Sequence, residues 1–219
     1  MSELIGGLVF IVLGLIGTYL GYKYVSRWYV ISRTDPISIR DSVVTDEVVS
    51  ISGSANPVQD ELLVSPITDE ECLAYEYNVK QRKSGGKNKM LDTGSDSQAF
   101  IIDDGTAKAY ISADEVDITK ERITDVNENE LQESVITKPS LTGGRVYEEG
   151  TIKPGEEVFV VGSTTSTNKY DADTEVVDTG GRFLVSNVSR EKTARKSLLY
   201  SISLLIGIGL LAIGLSIIL

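Results

Sequence analysis

Cys72-Leu73-Ala74-Tyr75-Glu76-Tyr77-Asn78-Val79-Lys80 decides how the middle of this chain reads. In an extended backbone Leu73, Tyr75, Tyr77 and Val79 share one side, and Cys72, Ala74, Glu76 and Asn78 share the other. Two aliphatics and two aromatics on one side mark the core face of a half-buried strand. Moving outward, the same texture repeats in both directions. Toward the N-terminus lie a strand within Val43 to Gly53, a loop at Asn56-Pro57, the short run Leu62-Leu63-Val64 and the break Ser65-Pro66. Toward the C-terminus a polar loop, Gln81 to Lys89, precedes strands Ser97 to Ile102 and Lys108 to Ile111. These flank Asp103-Asp104-Gly105, an Asp-Gly hairpin signal. Val116 and Ile118 extend another strand. Asp125 to Val135 has helix formers behind a capping Asp125. Val146 to Ile152 and Glu157 to Gly162 are joined by the turn Lys153-Pro154-Gly155. After a polar loop, Ser163 to Asn168, the runs Val176-Val177 and Arg182 to Val188 close the segment around Gly180-Gly181. Short strands at this spacing predict a mainly β domain over residues 42–188, a partly open barrel or sheet with one short helix. The pattern does not choose between a closed barrel and an open sheet.

Both ends of the chain read differently. Leu4 to Tyr22 and Ser197 to Leu219 contain no charged residue. Each is long enough for a helix to cross a bilayer core, which takes about 20 residues. The first lacks the basic start of a cleaved signal peptide and ends in Tyr19, Tyr22 and Tyr24, so it reads as a retained transmembrane helix. The predicted organisation is a first span at 4–22, a juxtamembrane linker and first strand at 23–41 with Trp28 to Arg33 leading out of the membrane, the β domain at 42–188, a basic segment at 189–196 and a second span at 197–219. Lys23, Arg27, Arg33 and Arg40 follow the first span. Arg190, Lys192, Arg195 and Lys196 precede the second. Basic residues near span ends mark the cytoplasmic side. The expectation is a two-span cell-membrane protein with a cytoplasmic middle and both termini outside. Tyr19, Tyr22, Tyr24, Trp28, Tyr29 and Tyr200 supply an aromatic belt at the inner interface.

Small residues recur on both spans. Gly7, Gly14 and Gly21 are seven apart, Gly17 and Gly21 form a GxxxG, and Ser203, Gly207 and Gly214 mark a comparable face on the second. Such faces let backbones approach closely. They predict that the spans pack on each other, or on a second copy in a homo-oligomer.

The middle segment, Lys23 to Lys196, holds all 21 Lys and Arg and 31 of the 32 acidic residues, a balance of −10. Acid spread over a surface repels nucleic acid and broad anionic lipid. It also suits a halophile's cytoplasm. Within it, Arg82, Lys83, Lys87 and Lys89 surround Ser84-Gly85-Gly86, either a soluble hairpin tip or a contact for anionic lipid or an acidic partner. The chain has no histidine and one cysteine, Cys72. That removes Ser-His-Asp and Cys-His catalysis, HExxH zinc sites and four-ligand zinc sites. Asp69-Glu70-Glu71 and Asp171/Asp173/Glu175 lack EF-hand spacing and read as solvated faces. The glycine pairs at Gly143-Gly144 and Gly180-Gly181 read as loops. Cys72 has no basic neighbour in sequence and reads as a buried structural thiol. No catalytic residue, metal site or cofactor is predicted.

Ser65-Pro66-Ile67-Thr68-Asp69-Glu70-Glu71-Cys72-Leu73-Ala74-Tyr75-Glu76-Tyr77 resembles the signature of the GIDE, or beside-a-membrane (BAM), family. Phe100-Ile101-Ile102-Asp103-Asp104-Gly105-Thr106-Ala107 and the stretch Tyr147 to Gly162, with Pro154-Gly155, resemble its later motifs. The resemblance spans roughly Ser42 to Val188 plus the flanking spans. The family includes mitochondrial membrane-anchored ubiquitin ligases and occurs in archaea, notably haloarchaea. This chain looks like a haloarchaeal-type member without the C-terminal RING that carries the ligase activity. The resemblance implies a membrane-proximal domain that binds partner proteins. Its matching positions are Ser65, Pro66, Cys72, Tyr75, Tyr77, Phe100, Asp103, Gly105, Pro154, Gly155 and Gly162. Two functions therefore stand side by side. One is a non-catalytic, membrane-anchored interaction module. The other is a component of an enzyme system, either ligase-like or resembling the NfeD-type accessories of membrane proteases. A closed five-stranded barrel with a clear groove would favour the accessory.

Overall fold

A computed structural model describes residues 2–45, 47–82, 88–112, 116–124, 126, 144–178 and 183–218. The chain divides into two compact units, Met1–Asp35 with Arg190–Leu219, and Pro36–Ser189.

The first unit is a pair of long helices, α1 (Ser2–Arg33) and α3 (Arg190–Ile218). Both are long and apolar enough to cross a membrane. The predicted strand at Trp28 to Arg33 is not formed, because α1 runs on through it. Nothing between Tyr22 and Arg33 breaks a helix already nucleated by twenty apolar residues. Pro36 disfavours helical backbone at Asp35, and the helix stops just before it. Thr34 closes the last turn, its N–H and Oγ1 both donating to the Val30 carbonyl at 3.0 and 2.7 Å. The basic segment 189–196 is likewise helical from Arg190.

The second unit is β-rich. A four-residue helix, α2 (Ile39–Ser42), precedes β1 (Val48–Pro57). Val43 lies at the C-cap of α2 rather than in a strand, and Asn56-Pro57 belongs to β1 rather than to a loop. The later strands are β2 (Leu63–Val64), β3 (Glu71–Cys72), β4 (Ala74–Arg82), β5 (Asn88–Ser97), β6 (Phe100–Asp103), β7 (Lys108–Ile111), β8 (Val116–Asp117), β9 (Glu121–Ile123), β10 (Arg145–Ile152), β11 (Glu157–Ser166), β12 (Thr174–Val177) and β13 (Leu184–Ser186). The predicted loops at Gln81 to Lys89 and Ser163 to Asn168 are therefore shorter than expected, since β4, β5 and β11 extend into them. All of the predicted helix Asp125 to Val135 except Val126 lies outside the described residues.

Five strands close on themselves. β1 pairs β6, β6 pairs β7, β7 pairs β12, β12 pairs β11, and β11 pairs β1. Every contact is antiparallel except β7–β12. Numbered within the ring, the order is 1-2-3-5-4-1 with strands 3 and 5 parallel, the arrangement of the OB-type Greek-key barrel. Closure depends on β1 serving two neighbours: Val48 to Ser54 face β11 and Ser54 to Pro57 face β6. At the changeover a Cβ on Gly53 would sit 2.7 Å from the Asp103 carbonyl oxygen, so only glycine lets β1 bend there. β13 and β8 extend the sheet beyond β11.

A second antiparallel sheet, β5-β4-β10-β9, is built from two excursions out of the ring: β4 and β5 between β1 and β6, β9 and β10 between β7 and β11. The turn at Lys153 to Gly155 is thus a corner that carries the chain from one sheet to the other, not a hairpin. The main core fills the barrel with Ile39, Val49, Ile51, Phe100, Ile102, Ile111, Val158 and Val160, and continues to Leu73, Ala74 and Ile152. A smaller core of Tyr77, Val79 and Tyr147, with Ile67, Tyr75 and Leu91 against it, covers one face of the second sheet. The alternation read in β4 is therefore met from Tyr75 onward, whereas Cys72, Leu73 and Ala74 are all buried at the junction between the sheets.

Candidate functional site

The predicted site residues are spread over both units, and most of the side-chain geometry lies at four places. The first is the loop between β2 and β3. Ser65 and Pro66 are buried there, and the Ser65 backbone brackets a tight turn: Asp69 N–H donates to its carbonyl at 3.1 Å, and its own N–H donates to Glu70 O at 2.9 Å. Asp69 adopts φ 56°, the left-handed conformation that Asp tolerates. The Ser65 and Thr68 hydroxyls meet at 2.8 Å. Across from them stands Glu149 of β10, only 4% exposed. Its carboxylate accepts from Ile67 N at 3.0 Å, Thr68 N at 2.9 Å and Thr68 Oγ1 at 2.5 Å. Three donors satisfy a buried charge that would otherwise be costly. Glu149 thereby ties the first motif segment to the third. Leu73 N–H, donating to the Ile152 carbonyl at 2.7 Å, adds a second tie.

Cys72 lies beside this knot, fully buried and free of any disulfide. Burial first, and then the carboxylates of Glu149, Glu70 and Asp96, push its thiol up to about 11, against a small opposing pull from Lys153. A thiol held protonated this firmly is no nucleophile. Tyr75 and Tyr77 sit next along β4 with ring centroids 6.5 Å apart. Burial, then Asp92, pushes the Tyr77 phenol up to about 12, and its hydroxyl donates to Asp92 Oδ2 at 3.2 Å.

The second place is the turn between β6 and β7. Phe100 is in the barrel core. Asp103 Oδ1 accepts from Gly105 N at 2.8 Å, and Gly105 takes φ 81°. Asp104, unmarked by the sequence reading except as part of the turn, reaches further. Its Oδ2 accepts from Ile39 N at 2.8 Å, and its Oδ1 accepts from Thr106 N, Thr106 Oγ1 and Ala107 N at 2.8, 2.6 and 3.2 Å. Arg40 completes the clasp by donating from Nε and Nη2 to Thr106 O at 3.1 and 2.8 Å. Burial works to raise the Asp104 carboxyl, but the hydrogen bonds from Thr106, Ile39 and Ala107 outweigh it and hold the group below the usual range.

The third place is the outer face of β6 and β7, the usual ligand face of an OB barrel. Here it is covered from within. Tyr170 stacks on Tyr110 at 5.7 Å, Lys169 Nζ lies 4.8 Å from the Tyr110 ring centre, and Ala172 is buried against Ile101 and Tyr110. Tyr170 and Asp171 both take positive φ, 51° and 56°. Pro154 and Gly155 are exposed at their corner, Gly155 at φ 82°. Gly162 lies where a Cβ would press on Phe183 at 3.2 Å.

The fourth place is the helix pair. A Cβ on Gly17 would lie 3.1 Å from Gly207 Cα and 3.5 Å from Ser203 O. One on Gly14 would lie 2.9 Å from Gly207 O, and one on Gly214 would lie 2.9 Å from Gly7 O. Gly21 meets the Leu204 backbone still more closely. The small residues thus pack the two helices on each other. Tyr24 and Tyr200 meet with their rings tilted and their centroids 5.0 Å apart, and Arg190 Nη2 donates to the Ile31 and Thr34 carbonyls at 2.8 and 3.0 Å, closing the end of α1. Away from this seam Leu4, Ile5, Leu8, Leu15, Ile206 and Leu215 are all about half exposed or more.

Of the basic loop, Arg82 and Lys89 sit exposed at the ends of β4 and β5, while Lys83 and Lys87 lie outside the described residues. Among the described residues no group of three or more His, Cys, Asp or Glu is placed to hold a metal ion. Comparison with known proteins returns no matching family model, no matching curated protein and no matching solved structure.

Proposed function

We propose that this chain is a membrane-anchored platform whose two helices span the cell membrane and whose β unit faces the cytoplasm and docks a membrane or cytoplasmic protein. One observation carries the reading. The helix pair satisfies its backbone internally, packs through glycine and exposes apolar side chains along its length, an arrangement that hydrocarbon accommodates and water does not. The basic residues flanking both apolar runs on the side of the β unit support this orientation.

The GIDE/BAM resemblance supports docking rather than reaction. Its motif positions do architectural work: they tie the Ser65 loop to β10, fill the barrel, and shape a turn and a corner. What they transmit is a fold, and ligase chemistry would need the zinc ligands of a RING, which these 219 residues do not supply. The −10 balance of the middle segment disfavours nucleic acid on the barrel.

A second reading, an NfeD-like accessory of a membrane protease, has the closed ring of five strands in its favour, but the groove expected with it is filled by Tyr170, Lys169 and Ala172. Both readings require the same topology. In sealed vesicles, added protease should cut the middle segment only when the cytoplasmic face is outward. Cleavage from the external face would overturn the orientation in both.

A further inference from the structure

We propose that the outer edge of β5 is a docking strip for a basic, extended segment of another membrane protein, drawn from a stretch that borders one of its spans on the cytoplasmic side. The proposal deepens the docking reading above and rests on it. β5 ends the second sheet, and among the described residues no strand pairs with its outer edge. It is ten residues long. An edge of that length is a template for strand addition. Just beyond β5, Gln98 N–H donates to the Leu73 carbonyl at 2.9 Å. Backbone groups alternate along a strand, so from Asp92 onward the even-numbered amides point to β4. Those of Thr93, Ser95 and Ser97 point outward.

Side chains cover two of these three amides. Asp92 Oδ1 accepts from Thr93 N at 2.9 Å, and Asp96 Oδ1 accepts from Ser97 N at 2.8 Å. Both carboxylates therefore lie along the rim of the sheet, on one face and four residues apart. The Tyr77 ring fills the space over Gly94 between them, where a Cβ would lie 2.5 Å from the ring, and the Tyr77 hydroxyl holds Asp92 Oδ2 at 3.2 Å. This rim selects its occupant by charge. An incoming strand offers carbonyls to Thr93 and Ser95 and displaces the Asp92 clasp. Asp92 and Asp96 then need cations across from them, which a basic segment brings. A second copy of β5 would bring more carboxylate instead. At the far end of the strand Lys89 and Arg82 repel cations, so the basic residues of the partner belong opposite Asp92 and Asp96. Segments of this kind are common where the reading above places the β unit, because Lys and Arg concentrate on the cytoplasmic flanks of membrane spans.

The test places the full chain in phosphatidylcholine nanodiscs, whose two faces are both open, and adds a short labelled peptide of alternating lysine and threonine. Its glutamate–threonine counterpart should not bind. The double variant Asp92→Asn, Asp96→Asn should bind the lysine peptide about fivefold more weakly, with the circular dichroism of the parent. An added strand turns only alternate amides toward β5. With lysines opposite Asp92 and Asp96, these are the threonine amides. N-methylation of the threonines should therefore abolish binding, and N-methylation of the lysines should preserve it. Unchanged affinity in the double variant, or equal binding of the two methylated peptides, overturns the strip and leaves the orientation standing. Cleavage from the external face in the vesicle assay, with nanodisc binding intact, overturns the orientation and the cytoplasmic source of the partner.

Discussion

The helix pair and the β unit are held together by opposite means. Along the seam of α1 and α3 the decisive positions carry no side chain at all: Gly7, Gly14, Gly17 and Gly21 on one helix, Gly207 and Gly214 on the other. In the β unit the decisive positions carry long polar side chains that reach across to another segment's backbone, as Glu149 and Asp104 do. The difference follows from the medium each unit suits. Lipid chains are as apolar as leucine, so helices gain little by hiding apolar side chains, and close backbone contact supplies the attraction. In the β unit burial supplies the attraction, and the remaining problem is to satisfy loop N–H groups away from water. The seven-residue recurrence of the seam glycines is the period of a left-handed pair, in which one stripe stays facing the partner over several turns.

The hardest blow to this contrast is a side chain in the seam. Gly21→Leu would drive a branched carbon into the Leu204 backbone. Overpacking of this kind costs about 1–3 kcal/mol where neighbours can move, and more where the obstacle is backbone. A cross-link between Tyr24→Cys and Tyr200→Cys by a short bifunctional thiol reagent, placed where the ring centroids lie 5.0 Å apart, would report pairing. Its yield in membranes should fall several-fold in Gly21→Leu. The same change at Gly6, where a Cβ meets nothing within 4 Å, should leave it intact. Equal yields in both variants would mean that glycine is not what holds the pair.

The matching blow to the β unit is Glu149→Ala. It strands Ile67 N and Thr68 N around a buried site and leaves the Thr68 hydroxyl to its Ser65 neighbour. Hydrogen bonds to a charged group contribute about 1.5–3 kcal/mol, and orphaned partners add to the loss. A drop of about 3 kcal/mol lowers the unfolding midpoint of a unit this size by about 10 °C. Glu149→Gln, which keeps an acceptor, should lose roughly half as much. The Tyr24→Cys/Tyr200→Cys cross-link should form normally in both variants. An unshifted midpoint for Glu149→Ala would leave the Ser65 loop held by Ser65 and Leu73 alone.

How much of this was legible in the sequence also divides along the two units. The seam was readable because the periodicity of Gly7, Gly14 and Gly21 survives in any context that keeps a helix. The strands β4, β6, β7 and β11 were readable because one face of each is apolar. β5 was not: every residue of Asn88–Ser97 is exposed or half-exposed, so neither face imposes an alternation. The end of α1 was misread because Val30 and Ile31 favour strands locally, while the helix already running into them does not yield. Of the candidate site, the named motif positions lie beside partners that the sequence did not mark. Glu149 stands 81 positions from Thr68, and Asp104 stands 65 from Ile39. Nothing local distinguishes either from the other acids of an acidic chain. The change of sheet at Pro154-Gly155 was hidden for a related reason, since a corner and a hairpin use the same turn residues.

Asp104 offers the gentlest and sharpest test, because its contribution can be switched by pH alone. Its folded carboxyl is held below the usual range, whereas in the unfolded chain it titrates near about 3.9. On acidification the unfolded state therefore takes up the proton first. The stabilisation is present in full above about pH 5, falls as pH drops through the unfolded value, and is gone below the folded one. Asp104 is half-buried, so water screens the effect and keeps it small. Asp104→Asn keeps the shape but cannot accept at both oxygens, so one of the Ile39 and Thr106 donors loses its partner. At pH 7 the variant should be less stable by about 1 kcal/mol, and by pH 3 the gap to the parent should narrow. A gap that stays constant from pH 7 to pH 3 would show that Asp104 acts as a neutral hydrogen-bond acceptor. The contrast between a unit held by glycine and a unit held by charge would then rest on Glu149 alone.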